Sequence, residues 1–196
     1  MSSHDGTELR RDDGEHVDRL LEPIAELYGE VYAEPPYNGG PLFTRERFLE
    51  RTTRQKSNDG FTLVSAYTGP ELQGFAFGFP FAAGGWWRGI TTPQPSAEIL
   101  QALKFAVIEL VVRKTQRGHG LGRALMTALL GGRTEPYATL LAKPDAPART
   151  IYQRWGWQQV ATVQPTDDAP RLAALILPLP ALKPGANGNL PPDPRR

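Results

Sequence analysis

Val17, Leu20, Leu21, Ile24, Leu27, Tyr28 and Val31 recur at three- and four-residue intervals, which predicts an amphipathic helix with one apolar face. Residues 33–41 (AEPPYNGGP) interrupt that period with helix breakers and read as a loop. Thr44 can cap a second helix, with Glu46 and Arg47 in its first turn and Phe48 and Leu49 further along. After Gly60 the period changes. FTLVSAY and ELQGFAFGF, joined at Gly69-Pro70, predict an antiparallel hairpin. Residues 80–95 read as a long irregular stretch containing Gly84-Gly85-Trp86-Trp87. Residues 104–112 (KFAVIELVV) are the most strand-like run in the chain. They lead through RKTQRGHG into a helix at 121–130, a strand at 137–142, a short helix at 146–155, and strands at 157–163 and 172–177. Helices interleaved with strands after an opening meander predict a mixed α/β domain around one central sheet.

The ends depart from this pattern. Residues 1–15 are polar and charged and read as a flexible segment. In 179–196, Pro, Gly and Asn displace large apolar residues, so the segment reads as a flexible tail, with a docked tail as the alternative. The domain is therefore expected at 16–178. A chain of 196 residues that is 40% hydrophobic suits one domain with a sizeable core. Lys+Arg 22 against Asp+Glu 21 leaves a net charge of +1, which gives no global pull toward nucleic acid or an anionic membrane. Cys 0 excludes a thiolate nucleophile, and His 3 argues against a histidine-rich metal centre. Lacking an apolar signal-peptide core or a membrane-spanning run of about 18–20 residues, the chain is expected to be soluble and cytoplasmic.

Candidate chemistry concentrates at Gln116-Arg117-Gly118-His119-Gly120-Leu121-Gly122-Arg123. A strand enters this loop and an amphipathic helix leaves it, with Leu121, Leu125, Ala128 and Leu129 as the apolar stripe. A helix N-terminus leaves N–H groups unsatisfied under a positive dipole end, and glycines allow close backbone approach. With Arg117 and Arg123 alongside, the segment describes a diphosphate cradle. The alternative is a glycine-rich turn that merely joins strand to helix. The string fits neither GxxxxGK[ST] nor GxGxxG, because Gly118, Gly120 and Gly122 alternate at spacing two.

Arg117, Gly120 and Gly122, after the strand ending Glu109-Leu110-Val111-Val112, resemble the [QR]-x-x-G-x-[GA] acetyl-CoA signature of the GCN5-related N-acetyltransferase (GNAT) family. Asp145, Ala148, Tyr152, Gly156 and Trp157 are similar to that family's N-xx-A-xxx-Y-xxx-G-[FW] spacing, with Asp145 in place of Asn. The resemblance covers about residues 17–178 and is most specific at 109–157. It implies a central, mostly antiparallel twisted sheet, flanked by helices and splayed where acetyl-CoA lies. Leu110 and Val112 would offer backbone groups to the pantetheine arm. The backbone of Arg117, Gly118, His119, Gly120 and Gly122, with the Arg123 side chain, would hold the diphosphate. Asp145 can still cap its helix but lacks an amide donor.

The implied reaction is direct attack of a primary amine on acetyl-CoA in a ternary complex, without a metal. The acceptor would be a small-molecule or peptide amine. A catalytically silent acyl-CoA sensor or scaffold is the alternative, and homodimerisation is common in the family. Tyr152 stands where the family often places its general acid, and a phenol is protonated at neutral pH; the other reading is a core tyrosine. Strand alternation puts Phe105, Val107, Glu109 and Val111 on one face. Glu109 there either orients or deprotonates the amine, or closes a structural ion pair. His119 is placed for phosphate or solvent rather than as a base. Tyr37, Asn38, Trp86 and Trp87 either wall the acceptor pocket or, for the tryptophans, pack in a minor core or dimer contact.

Overall fold

A computed structural model describes residues 6–35, 37–41, 43–167 and 169–180. Most of the tail read at 179–196, and residues 1–5, lie outside the described residues. In chain order the elements are β1 (Thr7–Asp13), α1 (Leu21–Tyr32), α2 (Arg45–Gln55), β2 (Thr62–Thr68), β3 (Glu71–Phe81), β4 (Ile90–Thr92), α3 (Ala97–Gln101), β5 (Lys104–Val112), α4 (Leu121–Leu130), β6 (Tyr137–Ala142), α5 (Pro147–Arg154), β7 (Gln158–Gln164) and β8 (Leu172–Pro178). Single 3-10 turns precede α1 at Val17–Leu20 and follow β5 at Lys114–Gln116. The strands form one sheet in the order β1-β2-β3-β5-β6-β8-β7-β4. Every pairing is antiparallel except β5 with β6. The mixed α/β class and the mostly antiparallel sheet are those expected from the sequence.

Local chemistry sets the element ends. Gly69 takes φ +57° in the turn between β2 and β3, a conformation that glycine adopts without steric cost. The Thr44 hydroxyl accepts from the Arg47 N–H at 3.3 Å and caps α2. Two cores then fix the layers. On one face Leu121, Leu125, Met126 and Leu129 of α4 pack on Val64, Ala76, Phe105 and Val107. On the other, Ile24, Leu27, Tyr28 and Phe48 of α1 and α2 pack on Leu63, Phe75, Phe77 and Val111. At about 1.5–3 kcal/mol per fully buried large side chain, these contacts pin the helices to the sheet.

Three sequence expectations are corrected. Residues 7–13, read as part of a flexible segment, form β1 and pair with β2 along its length. An edge strand with one buried residue, Asp12, needs no apolar alternation, so its signal is absent from the pattern. Within the stretch read as irregular, Ile90–Thr92 pairs with Thr162–Gln164 of β7 at the far edge of the sheet. Third, Phe105, Val107, Glu109 and Val111 do not share a face. Gly78 of β3 is opposite Val107 and Phe77 is opposite Glu109, so Ile108 is an extra residue, a β-bulge. Phe105 and Val107 stay on the α4 side, whereas Val111 joins the α1/α2 core and Glu109 bonds to side chains of those helices.

The bulge lies where the sheet opens. β5 pairs with β3 from Lys104 to Val112, but with β6 only over Lys104–Ala106, opposite Tyr137–Thr139. Beyond Ala106 the two parallel strands diverge, and a cleft begins between them.

Candidate functional site

On the α4 side of the cleft, β5 ends at Val112 and the chain turns through Arg117–Gly120 into α4. Gly118 and Gly120 adopt φ +80° and +89°, which only glycine takes readily. The first helical hydrogen bond of α4 runs from the Ala124 N–H to the Gly120 carbonyl at 3.0 Å, and no side chain caps the helix. The N–H groups of Leu121, Gly122 and Arg123 are thus left for a ligand, at the positive end of the helix dipole. They border a cavity of about 460 Å³, walled by Leu110 and Val112 on one side and by Tyr152 and Trp155 on the other. A Cβ at Gly122 would stand 3.6 Å from both Trp155 and Val112, filling the gap between strand and α5. Gly118, Gly120 and Arg123 line the same cavity, and Arg123 is exposed.

The structure places Arg117, His119 and Asp145 as follows. The Arg117 N–H already donates to the Lys114 carbonyl at 3.2 Å, so it is not among the open amides. The Arg117 guanidinium donates to both carboxylate oxygens of Glu34, at 3.0 and 3.2 Å, and to the Val112 carbonyl at 3.1 Å. Arg117 therefore ties the loop to the end of α1, and that Val112 carbonyl has a partner. His119 is exposed and outside the cavity wall. Asp145 is exposed and does not cap α5. The N-cap is Ala146 with Pro147 at the first helical position, where a missing N–H costs nothing.

A second cavity, about 520 Å³, lies toward α1 and α2. It shares Tyr32, Tyr37, Leu110, Ala146, Ala148 and Tyr152 with the first, so the two meet at these side chains. Glu109, 8% exposed, belongs to its wall. One carboxylate oxygen accepts from the Tyr32 hydroxyl at 2.9 Å, the other from Arg51 Nη2 at 2.6 Å. Burial pushes the Glu109 carboxyl above its ordinary value, and the Arg51 charge only partly opposes this. A carboxylate so placed can orient an amine and accept its proton, and it is at the same time an ion-pair partner.

Tyr152, on α5, packs edge-on against Trp155 and Trp157, with ring centroids 5.8 and 6.1 Å away. Burial drives its phenol well above the ordinary tyrosine value, and the neighbouring Tyr37 and Glu109 raise it further. Its hydroxyl thus keeps its proton throughout the neutral range. Of the other acceptor-side candidates, Tyr37 lines both cavities and Trp87 lines the second, donating to the Thr139 hydroxyl at 3.0 Å. Trp86 lines neither; with Trp87 it packs on a minor core of Ala161, Val163 and Ala174. Asn38 also lines neither and takes φ +51° in a turn, its N–H donating to the Glu34 carbonyl.

Sequence reading missed Tyr32, Arg51 and Lys143. Arg51 sits in RERFLERTTRQ, which looks like a solvated helix face. Nothing local marks it as the residue that meets Glu109. Among the described residues no group of three or more His, Asp or Glu could hold a metal ion, and no helix is long and apolar enough to cross a membrane.

Residues 98–169, which contain the loop, α4, β6 and α5, match the family model of the acetyltransferase (GNAT) domain. This chain carries a GNAT acetyltransferase domain. Over 118 residues it is 32% identical to a GCN5-like protein acetyltransferase of Mycobacterium tuberculosis. That match covers 54% of this chain and 57% of the relative, so it spans little more than half of that protein. Solved GNAT structures share the fold across a wider span. Arabidopsis thaliana NAA60 in complex with acetyl-CoA superposes with a TM-score of 0.62 at 14% identity, covering 88% of this chain and 99% of that one. The PaiA N-acetyltransferase of Thermoplasma acidophilum in complex with coenzyme A gives 0.51 at 16% identity, covering 91% of this chain and 100% of its own. The GNAT family-model match begins at α3 and ends in the β7–β8 loop. The first cavity has its glycine loop inside that span, whereas Tyr32, Tyr37 and Arg51 lie before it.

Proposed function

We propose that this chain is an N-acetyltransferase that moves an acetyl group from acetyl-CoA to a primary amine by direct attack, both substrates being bound together. The observation that supports this most is the junction of two cavities at Tyr152. One cavity ends on an uncapped helix N-terminus, and the other holds a buried carboxylate. In this reading acetyl-CoA supplies an activated thioester and, after transfer, a thiolate that needs a proton.

The residues fit that co-substrate. The free amides of Leu121, Gly122 and Arg123, with the Arg123 guanidinium, would hold its diphosphate. The edge of β5 that β6 leaves unpaired, including Leu110 and Val112, would hold the pantetheine amides in the manner of an added strand. Trp155 and the bare Cα of Gly122 give that arm its walls. Tyr152 keeps a proton at Oη and donates it on the thiolate side. Glu109, held by Tyr32 and Arg51, orients the amine and receives its proton directly or through water. With Cys 0 no acyl-cysteine step is available, which favours direct attack. The domain that does this runs, in our reading, from β1 through β8.

Thermal unfolding with and without acetyl-CoA tests the proposal, with Gly120→Glu as control. At about 100-fold over Kd, binding adds about 2.7 kcal/mol, a rise of several degrees at roughly 2–4 °C per kcal/mol. The shift is expected in the native chain and absent from Gly120→Glu, whose carboxylate would stand in the anion site. Lack of a shift in the native chain refutes the reading. A shift with no turnover of any amine would instead mark a silent acyl-CoA-binding domain.

A further inference from the structure

Among the described residues, the second cavity has three charged side chains on its wall, Arg51, Glu109 and Lys143. Arg51 and Glu109 face each other at 2.6 Å and largely neutralise one another, and the Tyr32 hydroxyl occupies the second carboxylate oxygen. Lys143 stands apart. It follows the last residue of β6, across the opened sheet from Glu109. Among the described residues it has no carboxylate within ion-pair distance, and Asp145 and Asp167 line neither cavity. Its ammonium lies instead over the rings of Tyr37 and Phe43, 5.2 and 5.7 Å from their centroids. Cation–π contact holds a cation in place without cancelling its charge.

Apart from Thr166 and the tyrosine hydroxyls, the rest of the described wall is apolar or aromatic, with Phe43, Trp87, Leu141, Pro170 and Leu172 facing the space. Among the described residues the cavity therefore combines largely apolar surface with one positive charge that no carboxylate pairs. A di- or polyamine would place its second cation beside Lys143 in a partly dehydrated site, where like-charge repulsion is costly. An acceptor with a carboxylate gains the opposite interaction. Resting on the acetyltransferase reading above, we infer that the acceptor is an amine whose non-reacting portion is apolar and carries a carboxylate, with Lys143 as the residue that recognises it. The positive charge of Lys143 also disfavours a protonated amine in the cavity, which supports entry of the acceptor as the neutral nucleophile.

Three probes of graded charge test this: L-phenylalanine, phenethylamine and 1,4-diaminobutane, titrated by calorimetry into the protein saturated with CoA. Phenylalanine is expected to bind at least about tenfold more tightly than phenethylamine, the scale of one charge-assisted contact, with diaminobutane weakest. Lys143→Gln should bring phenylalanine and phenethylamine to within about twofold of each other, Lys143→Glu should invert their order, and Lys143→Arg should restore it. Phenethylamine or diaminobutane binding as tightly as phenylalanine overturns the inference, as does binding of none of the three, or a preference that survives Lys143→Gln. The acetyl-CoA thermal shift, recorded on the same protein preparations before CoA is added, reports folding and separates the two failures. Without that shift the acetyltransferase reading itself falls. With the shift intact and the order wrong, only the acceptor inference falls.

Discussion

Replacing Tyr152 with phenylalanine removes one oxygen atom from the wall shared by the two cavities and leaves the ring in place. The contacts with Trp155 and Trp157 at 5.8 and 6.1 Å are ring contacts, so they survive. The hydroxyl makes no hydrogen bond to another described residue, so its loss strands no buried partner. Stability should change by less than about 1 kcal/mol, which is under about 4 °C in Tm. The acetyl-CoA shift should also persist, because the proposed diphosphate site lies at the start of α4. Turnover is where the effect falls. Removing a positioned proton donor costs about 10²–10⁴-fold, or roughly 3–5 kcal/mol of barrier. Because burial holds the phenol protonated far above neutral pH, native turnover should show no alkaline loss attributable to Tyr152 between pH 7 and about pH 10. The assay is release of free CoA thiol, with KM for acetyl-CoA measured alongside. Equal kcat in Tyr152→Phe removes the residue from the mechanism. A raised KM with unchanged kcat would recast it as a wall of the pantetheine site.

Other consequences are open to measurement. The folded-state value of Glu109 lies above its ordinary value of 4.5, so its contribution to stability is complete below that value and is lost as pH rises through the raised folded value. That pH-dependent segment should appear in the native-minus-Glu109→Gln difference in stability, measured by denaturant unfolding from acid to neutral pH. Glu109→Gln should also remove the acid limb of the pH–rate profile, while an identical limb in the mutant would assign the titration to another group. Lys104 is buried and donates to the carbonyls of Ile99, Leu100 and Ala102 at 2.8, 3.0 and 2.6 Å. Lys104→Met strands those acceptors and should cost about 2–4 kcal/mol, a Tm fall on the order of 10 °C; a loss under about 2 °C would contradict the geometry. Thr44→Ala removes the α2 cap and should cost about 1 kcal/mol, and it should lower turnover only as far as it disturbs Arg51, read by kcat against Tm.

The β2–β3 hairpin, β5, α4, β6 and α5 were legible because each is a local object. Hydrophobic period, turn residues and a glycine loop between strand and helix are all written within a few residues of one another. The proposed anion site is local in the same way. Its amides belong to consecutive residues at a helix start, so the motif and the site coincide. The acceptor side is different. Tyr32, Arg51, Glu109 and Lys143 come from α1, α2, β5 and the end of β6, and no spacing along the chain relates them. Strand β1 escaped because an edge strand with one buried residue carries no alternation. Even the side of β5 on which Glu109 stands depended on a partner strand. Alternation alone put Glu109 on one face with Phe105, Val107 and Val111. A Cβ at Gly78 would lie 2.1 Å from the Ala106 carbonyl, and the backbones that approach so closely there also accommodate the Ile108 bulge beside it. That bulge reverses the side-chain parity of β5 and turns Glu109 toward Arg51 and Tyr32. Most of the elements and the glycine loop could be read from the sequence alone, since their physics is short-range. Which charges meet across the opened sheet was decided only when distant elements packed.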